Sequence, residues 1–328
     1  MKSSRHVTSP VSQFPPEIQR LAQLRQTYRW QKAFRQADRL RLKIEALGYQ
    51  IQDTPTGSSL KSAASMIKTA TLTLFGSGEI SSVGRQIHEH ALTLLGKSSV
   101  KIVLISTPAG FQPNVRAVYG EIRRFFLAKL PNFHPQVTSI FANHRDQANQ
   151  PQLIEPLYTA DYIFTGPGSP TYAVNHLQNT LLYSALVQRL KTGQASLSLS
   201  SAATIAFSKF ALPVYEIYKV GSLLHWQTGL NGFNHLFKEL TVIPHLNNTE
   251  GGRKTDTSYC FMGRRRYLKL QKLLPVNHLI WGIDEQTAVT IDLATNQPSV
   301  QGKGQVHQLS PHPVKNKQDH QNPNHHRD

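Results

Sequence analysis

From Leu21 to Leu47 the apolar positions Leu21, Leu24, Tyr28, Ala37, Leu40, Ile44 and Leu47 recur at steps of three and four, with one longer gap. That spacing predicts an amphipathic helix, with Gly48 as its C-terminal stop. Arg25, Arg29, Lys32, Arg39 and Lys43 recur at matching spacing on another face. An extended YQIQ follows, then the turn DTPTG with Pro55 and Gly57 as breakers. Residues 1–18, with Pro10, Pro15, Pro16 and several Ser and Gln, read as a disordered lead-in, and SSLKSAAS (58–65) as part of a linker.

Beyond the linker the pattern changes to short apolar runs separated by amphipathic segments. TLTLF (71–75), KIVLIST (101–107), DYIFTG (161–166) and SLSLS (196–200) read as strands. Ser82–Lys97, Arg116–Lys129, Tyr172–Lys191 and a segment from about Ala202 read as helices. Continuous apolar strands alternating with helices predict an α/β fold: a mostly parallel sheet covered by helices on both faces. LTVIPH (240–245), LIWGID, TAVTIDL and SVQGKGQVHQL add strands, the later ones as hairpins. The expected organisation is a lead-in (1–18), a helical module (19–57), a linker (58–68), an α/β domain (69–309) and a polar tail (310–328) that includes His312, His320, His325 and His326.

Charge adds one thing to this picture. The chain of 328 residues holds 36 Lys and Arg against 19 Asp and Glu, a net +17. Such a balance favours polyanions or acidic substrates as partners. The single cysteine, Cys260, rules out an intrachain disulfide, no run reaches 18 apolar residues, and the first thirty residues have no apolar leader-like core. A cytoplasmic protein is expected.

The chemistry centres on SLSLSSAATIAF. A serine hydroxyl attacks at neutral pH only with a base in hydrogen-bond reach, an orienter for that base and donors for the oxyanion. In α/β folds the tight turn after a strand exposes such a hydroxyl near helix N–H groups. Ser201 stands at that position, ahead of the small Ala202 and Ala203, with Ser200 as the next candidate. His245 ends the strand LTVIP at the edge where α/β sites gather. FTGPGSPTY (164–172) places Gly166 and Gly168 after a strand, where backbone can approach a ligand; the amides of Gly168 and Ala202 are the candidate oxyanion donors. GSGE (76–79) is no dinucleotide fingerprint, because Ser81 stands at its third glycine position. HEH (88–90) is no metal pair, since residues two apart on a helix do not share a face. No metal and no cofactor is expected.

Seven pieces in order, FGSGE (75–79), STPAG (106–110), FTGPGSPTY, SSAAT (200–204), YEIYKVG (215–221), IPHLNN (243–248) and GIDEQTA (282–288), resemble the dipeptidase E and cyanophycinase family of serine peptidases. The match spans residues 72–305. It implies a class I glutamine-amidotransferase-like, flavodoxin-like fold and hydrolysis of small peptides or isopeptides, with Ser201 as nucleophile and His245 as base. Glu216 is the chosen orienter, with Asp284 and Glu285 as rivals. The chain departs from the usual elbow by Leu199 and Ala203 in place of glycines, and from the usual loop by Pro167. A catalytically inactive scaffold is the alternative. A glutamine amidotransferase fits least, because that chemistry puts a cysteine at the elbow.

RWQKAFRQADRLRLKIEALGYQIQDTPTG (29–57) resembles the C-terminal segment of cysteinyl-tRNA synthetases, most specifically at its DTPTG end. HIGH, KMSKS and a zinc-binding cysteine cluster are missing from the sequence, so aminoacylation is not implied. The resemblance leaves tRNA or other RNA as a candidate partner for residues 20–57.

Overall fold

A computed structural model of the chain describes residues 14–47, 49–54, 57–62 and 70–309. The expected lead-in up to residue 13 and the polar tail from residue 310 lie outside the described residues. The helix expected over 21–47 is two: α1 (Pro16–Trp30) and α2 (Phe34–Ala46). They part at residues 31–33, where Lys32 takes φ 58°, and this is where the apolar spacing has its long gap. The antiparallel hairpin β1 (Tyr49–Thr54) and β2 (Gly57–Ser62) follows. The expected linker therefore begins as a strand, because Leu60 is fully buried with Ile18, Leu21, Ile44 and Ile51 in a small core. Residues 63–69 are not among those described.

One residue of the basic stripe is internal, and two others make ion pairs nearer the surface. Arg25 is 1% exposed and donates to Asp53 Oδ1 and Oδ2 (2.8 and 3.2 Å) and to Ser58 Oγ (3.1 Å). Arg29 also reaches Asp53 (3.2 Å), and Arg39 pairs with Glu155 (3.6 Å). The Arg25 hydrogen bonds hold the Asp53 carboxyl below its usual range. The Asp of the DTPTG turn is thus the tie between hairpin and helix.

The α/β domain begins with β3 (Thr71–Phe75), α3 (Ser82–Leu94), β4 (Lys101–Ile105), α4 (Val115–Lys129) and β5 (Gln136–Ile140). Short helices α5 (Arg145–Ala148) and α6 (Pro151–Ile154) lead to β6 (Tyr162–Thr165), α7 (Pro170–Leu177), α8 (Leu181–Lys191), β7 (Ser196–Ser200) and α9 (Ala202–Ala206). Then come β8 (Phe210–Ala211), α10 (Val214–Tyr218), β9 (Gln227–Thr228), β10 (Leu240–Ile243) and α11 (Gly263–Gln271). The domain closes with β11 (Leu279–Ile283), β12 (Thr287–Asp292), β13 (Pro298–Gly302) and β14 (Val306–Leu309).

Seven strands form the main sheet in the order β13-β12-β3-β7-β6-β4-β5. The five from β3 to β5 are parallel, and β12 and β13 add antiparallel pairs at one edge. The alternation of side chains divides two cores. Val103, Ile105, Ile163, Leu197 and Leu199 join one, while Ile102, Leu104, Tyr162 and Phe164 join the other. Burial on both faces is what made these strands read as continuous apolar runs.

Two departures from expectation shape the site. The segment 172–191 is two helices, because Thr180 caps α8 by accepting from Tyr183 N (3.2 Å) and Asn179 takes φ 57°. And β10, β11 and β14 do not join the main sheet but form a second one, with β10 parallel to β11. The two sheets meet at Gly76, just past β3. Gly76 N donates to Thr287 O (2.8 Å), and His245 N donates to Gly76 O (3.2 Å). A Cβ on Gly76 would lie 2.0 Å from Asp284 O, so only glycine permits this seam.

Candidate active site

Strand β7 delivers Ser201 at the C-terminal edge of the main sheet, between β3 and β6. Ser201 adopts φ 49°, ψ −112°, a region that costs an L-residue about 1–3 kcal/mol and is found at functional turns. Leu199 does not obstruct the turn. It is fully buried among the core residues of one sheet face, so its bulk lies away from the bend. Ser200 is fully buried and its hydroxyl has no partner among the described residues, which removes it as the accessible serine.

The second sheet delivers the rest. His245 follows β10 in a left-handed conformation (φ 52°), fixed by its own N–H on Gly76 O and by Cys260 N, which donates to His245 O (3.2 Å). Its Nε2 lies 3.0 Å from Ser201 Oγ, and its Nδ1 lies 3.0 Å from Glu285 Oε1. Asn248 Nδ2 donates to the same Oε1 (2.7 Å), and Glu285 N donates to Asn247 Oδ1 (2.8 Å). Held by His245 first and then Asn248, the Glu285 carboxyl sits below its usual range. A carboxylate on Nδ1 favours the tautomer that leaves a lone pair on Nε2, facing the hydroxyl.

The choice of Glu216 as orienter is corrected by this geometry. Glu216 lies on α10, its Oε2 is buried without a partner among the described residues, and the carboxylate on the imidazole is Glu285. Asp284, the other rival, turns away: its Oδ2 accepts from Gln305 N (2.9 Å) and stands 3.2 Å from His307 Nε2. Adjacent residues at a strand end point in opposite directions, so only one of the pair could face the site. Asn248, the clamp on Glu285, was visible only as one of two asparagines after His245.

Gly168 follows β6 with φ 148°. A Cβ there would fall 1.9 Å from Pro108 O, so the loop packs directly on the turn after β4. The N–H of Gly168 has no hydrogen-bond partner among the described residues, and Ala202 opens α9, where the first N–H groups have no turn beneath them. Gly166 lies in the same loop, with no room for a side chain beside the Phe164 ring. Ser169 then caps α7 through Tyr172 N (3.1 Å), with Pro170 at the first helical position. Cys260, the single thiol, is buried, and burial followed by the Glu285 charge pushes it up to about 12, so it is a thiol and not a thiolate. His88 of the HEH segment is wholly buried, with Nδ1 2.6 Å from Tyr162 Oη and Nε2 3.1 Å from Glu79 O; burial lowers it to about 3.

No family model matches the chain, and no curated protein matches it by sequence. Among solved structures, a peptidase from an acI-B1 Actinobacterium superposes with a TM-score of 0.59 at 22% identity, covering 75% of this chain and 92% of that one. A "Putative Peptidase E Protein" from Listeria monocytogenes EGD-e superposes with a TM-score of 0.48 at 14% identity, covering 72% and 99%. The first likeness shows the fold: a large, mostly parallel sheet flanked by helices, in the arrangement of that peptidase.

Proposed function

We propose that the protein is a serine hydrolase that cleaves amide bonds in small peptides. The observation that carries the proposal is the line Ser201–His245–Glu285, joined by two 3.0 Å contacts and built on a strained turn. The peptidase nature of the structural neighbour supports peptides as the substrate class. His245 Nε2 takes the Ser201 proton as Oγ attacks the carbonyl carbon. The oxyanion that forms is held by the N–H groups of Gly168 and Ala202. The tetrahedral intermediate expels the amine, which receives the proton from Nε2, and leaves an ester on Ser201. Water, deprotonated by the same nitrogen, hydrolyses the ester and restores the hydroxyl. Glu285 keeps Nδ1 protonated and stabilises the imidazolium, and Asn248 holds Glu285 in place.

A fluorophosphonate probe tests this reading. Peptide mapping is expected to find the label on Ser201, with labelling abolished by Ser201→Ala and strongly slowed by His245→Ala. Labelling on another serine, or a folded wild-type protein that neither takes the label nor cleaves a library of dipeptides and isopeptides, refutes it.

A further inference from the structure

A row of aromatic rings leads away from the proposed nucleophile, and proton transfer has no need of it. Phe111, past β4, packs on Tyr172 of α7 (5.4 Å between centroids) and edge-on to Tyr215 of α10 (6.4 Å). Phe111 and Tyr215 are 45% and 37% exposed. Facing them, Tyr218 packs on Phe261 (5.4 Å), whose ring lies 5.9 Å from the His245 imidazole. A cavity of about 350 Å³ is walled by Val214, Tyr215, Tyr218 and Phe261, with exposed Lys219 and Glu250 among its polar lining; Phe111 packs on Tyr215 from outside that lining. This volume stands at the lower end of the range for small-molecule sites, about 300–1,000 Å³, enough for one large side chain with its own backbone.

The wall next to His245 is built at a conformational cost. Tyr259, Cys260 and Phe261 are all left-handed (φ 53°, 56° and 66°), a conformation that L-residues adopt singly rather than in succession. The turn is held by Tyr259 N on Leu246 O (2.8 Å), by Cys260 N on His245 O, and by Arg266, which donates to Met262 O and Phe261 O (2.5 and 2.8 Å). The result places the Phe261 ring between cavity and imidazole. The charges nearby are already occupied or opposed. Arg266 is bound to carbonyls, Lys219 Nζ lies 5.2 Å over the Tyr218 ring, and Lys219 and Glu250 carry opposite signs.

We infer that this cavity is the subsite for a large planar, apolar side chain beside the scissile bond, so that the preferred substrates are amides flanked by a phenylalanine-, tyrosine- or tryptophan-like group. The inference rests on the proposed hydrolase only for which bond is cut; occupancy of the cavity is separate. The test therefore uses Ser201→Ala, which hydrolyses nothing, titrated by NMR with N-acetyl-phenylalaninamide, N-acetyl-alaninamide and N-acetyl-aspartic acid amide, with wild type alongside. The phenylalanine ligand is expected to bind at least about tenfold tighter than the alanine one. Adding Tyr215→Ala or Tyr218→Ala is expected to bring that ratio below about threefold, with the leucine variants at both positions covering any loss of folding. Equal affinity for the phenylalanine and alanine ligands overturns the inference. So does tightest binding of the aspartic ligand that is lost in Lys219→Met. Fluorophosphonate labelling of wild type is read separately, so a failure of the chemistry and a failure of the subsite are distinguishable.

Discussion

Glu285→Gln is expected to slow reaction at Ser201 only modestly, and the same change combined with Asn248→Leu to slow it far beyond the product of the two. The reason is that one oxygen, Oε1, faces both His245 Nδ1 (3.0 Å) and Asn248 Nδ2 (2.7 Å). In glutamine the amide oxygen takes that place, because the Asn248 NH2 group needs an acceptor there. The imidazole keeps its proton on Nδ1 and its lone pair toward Ser201; what disappears is the negative charge. A hydrogen bond to a charged group nets about 1.5–3 kcal/mol against about 0.5–1.5 for a neutral one, a difference of about 1.5 kcal/mol. That difference is a loss of about tenfold. With leucine at 248 nothing holds the amide oxygen. Glutamine then turns its NH2 to Nδ1, the proton moves to Nε2, and the hydroxyl loses its base; about 10⁴-fold is the scale for such a wrong tautomer. Asn248→Leu alone, where both carboxylate oxygens still accept, is expected to cost about threefold. The assay is the second-order rate of fluorophosphonate labelling, with melting curves to confirm folding. A double variant no worse than the product of the singles refutes the reasoning, and so does a larger loss from Glu216→Gln than from Glu285→Gln.

Other expectations follow from features away from this pair. Below pH 6.5 the unfolded chain takes up a proton that buried His88 refuses until about pH 3, so its stability contribution falls with acid through that window. The stability difference between wild type and His88→Gln, from urea unfolding, should shrink by about 1.4 kcal/mol per pH unit between pH 6 and 4, and a constant difference would count against it. Gly76→Ala must push Asp284 O away from the seam; a loss of about 1–3 kcal/mol and a labelling rate down at least about tenfold are expected, and wild-type labelling would show that the seam does not align the site. A fragment of residues 70–309 is expected to fold and to label, because the N-terminal helices have their own core; failure to fold in circular dichroism would make their contacts, such as Gln188 Nε2 on Leu47 O (3.0 Å), essential.

Strands β3, β4, β6 and β7 were legible because both faces are buried, and the strand-to-helix turn at Ser201 because small residues follow SLSLS at once. The break at Thr180 was hidden because the apolar spacing runs on through a capping residue. Leu60 inside SSLKS was hidden because a strand burying one side chain looks, in composition, like a linker. Arg25 read as part of a basic stripe on one helix face, yet it is internal because Asp53, distant in sequence, supplies its counter-charge. The choice among Glu216, Asp284 and Glu285 could not be made from spacing. It depends on how the β10-β11-β14 sheet lies against the main one, a long-range matter settled at the Gly76 seam.

That division between sheets has a consequence for the life of the chain during synthesis. The strand carrying Ser201 leaves the ribosome about eighty residues ahead of Glu285. At about 5–20 residues per second the interval is about 4–16 s. For that time the serine has neither an aligned imidazole nor the carboxylate that orients it, and its hydroxyl is no more reactive than any other. The proposed nucleophile is armed only when the last strands dock, so the order in which the polypeptide appears itself keeps the hydroxyl unreactive until the domain is assembled.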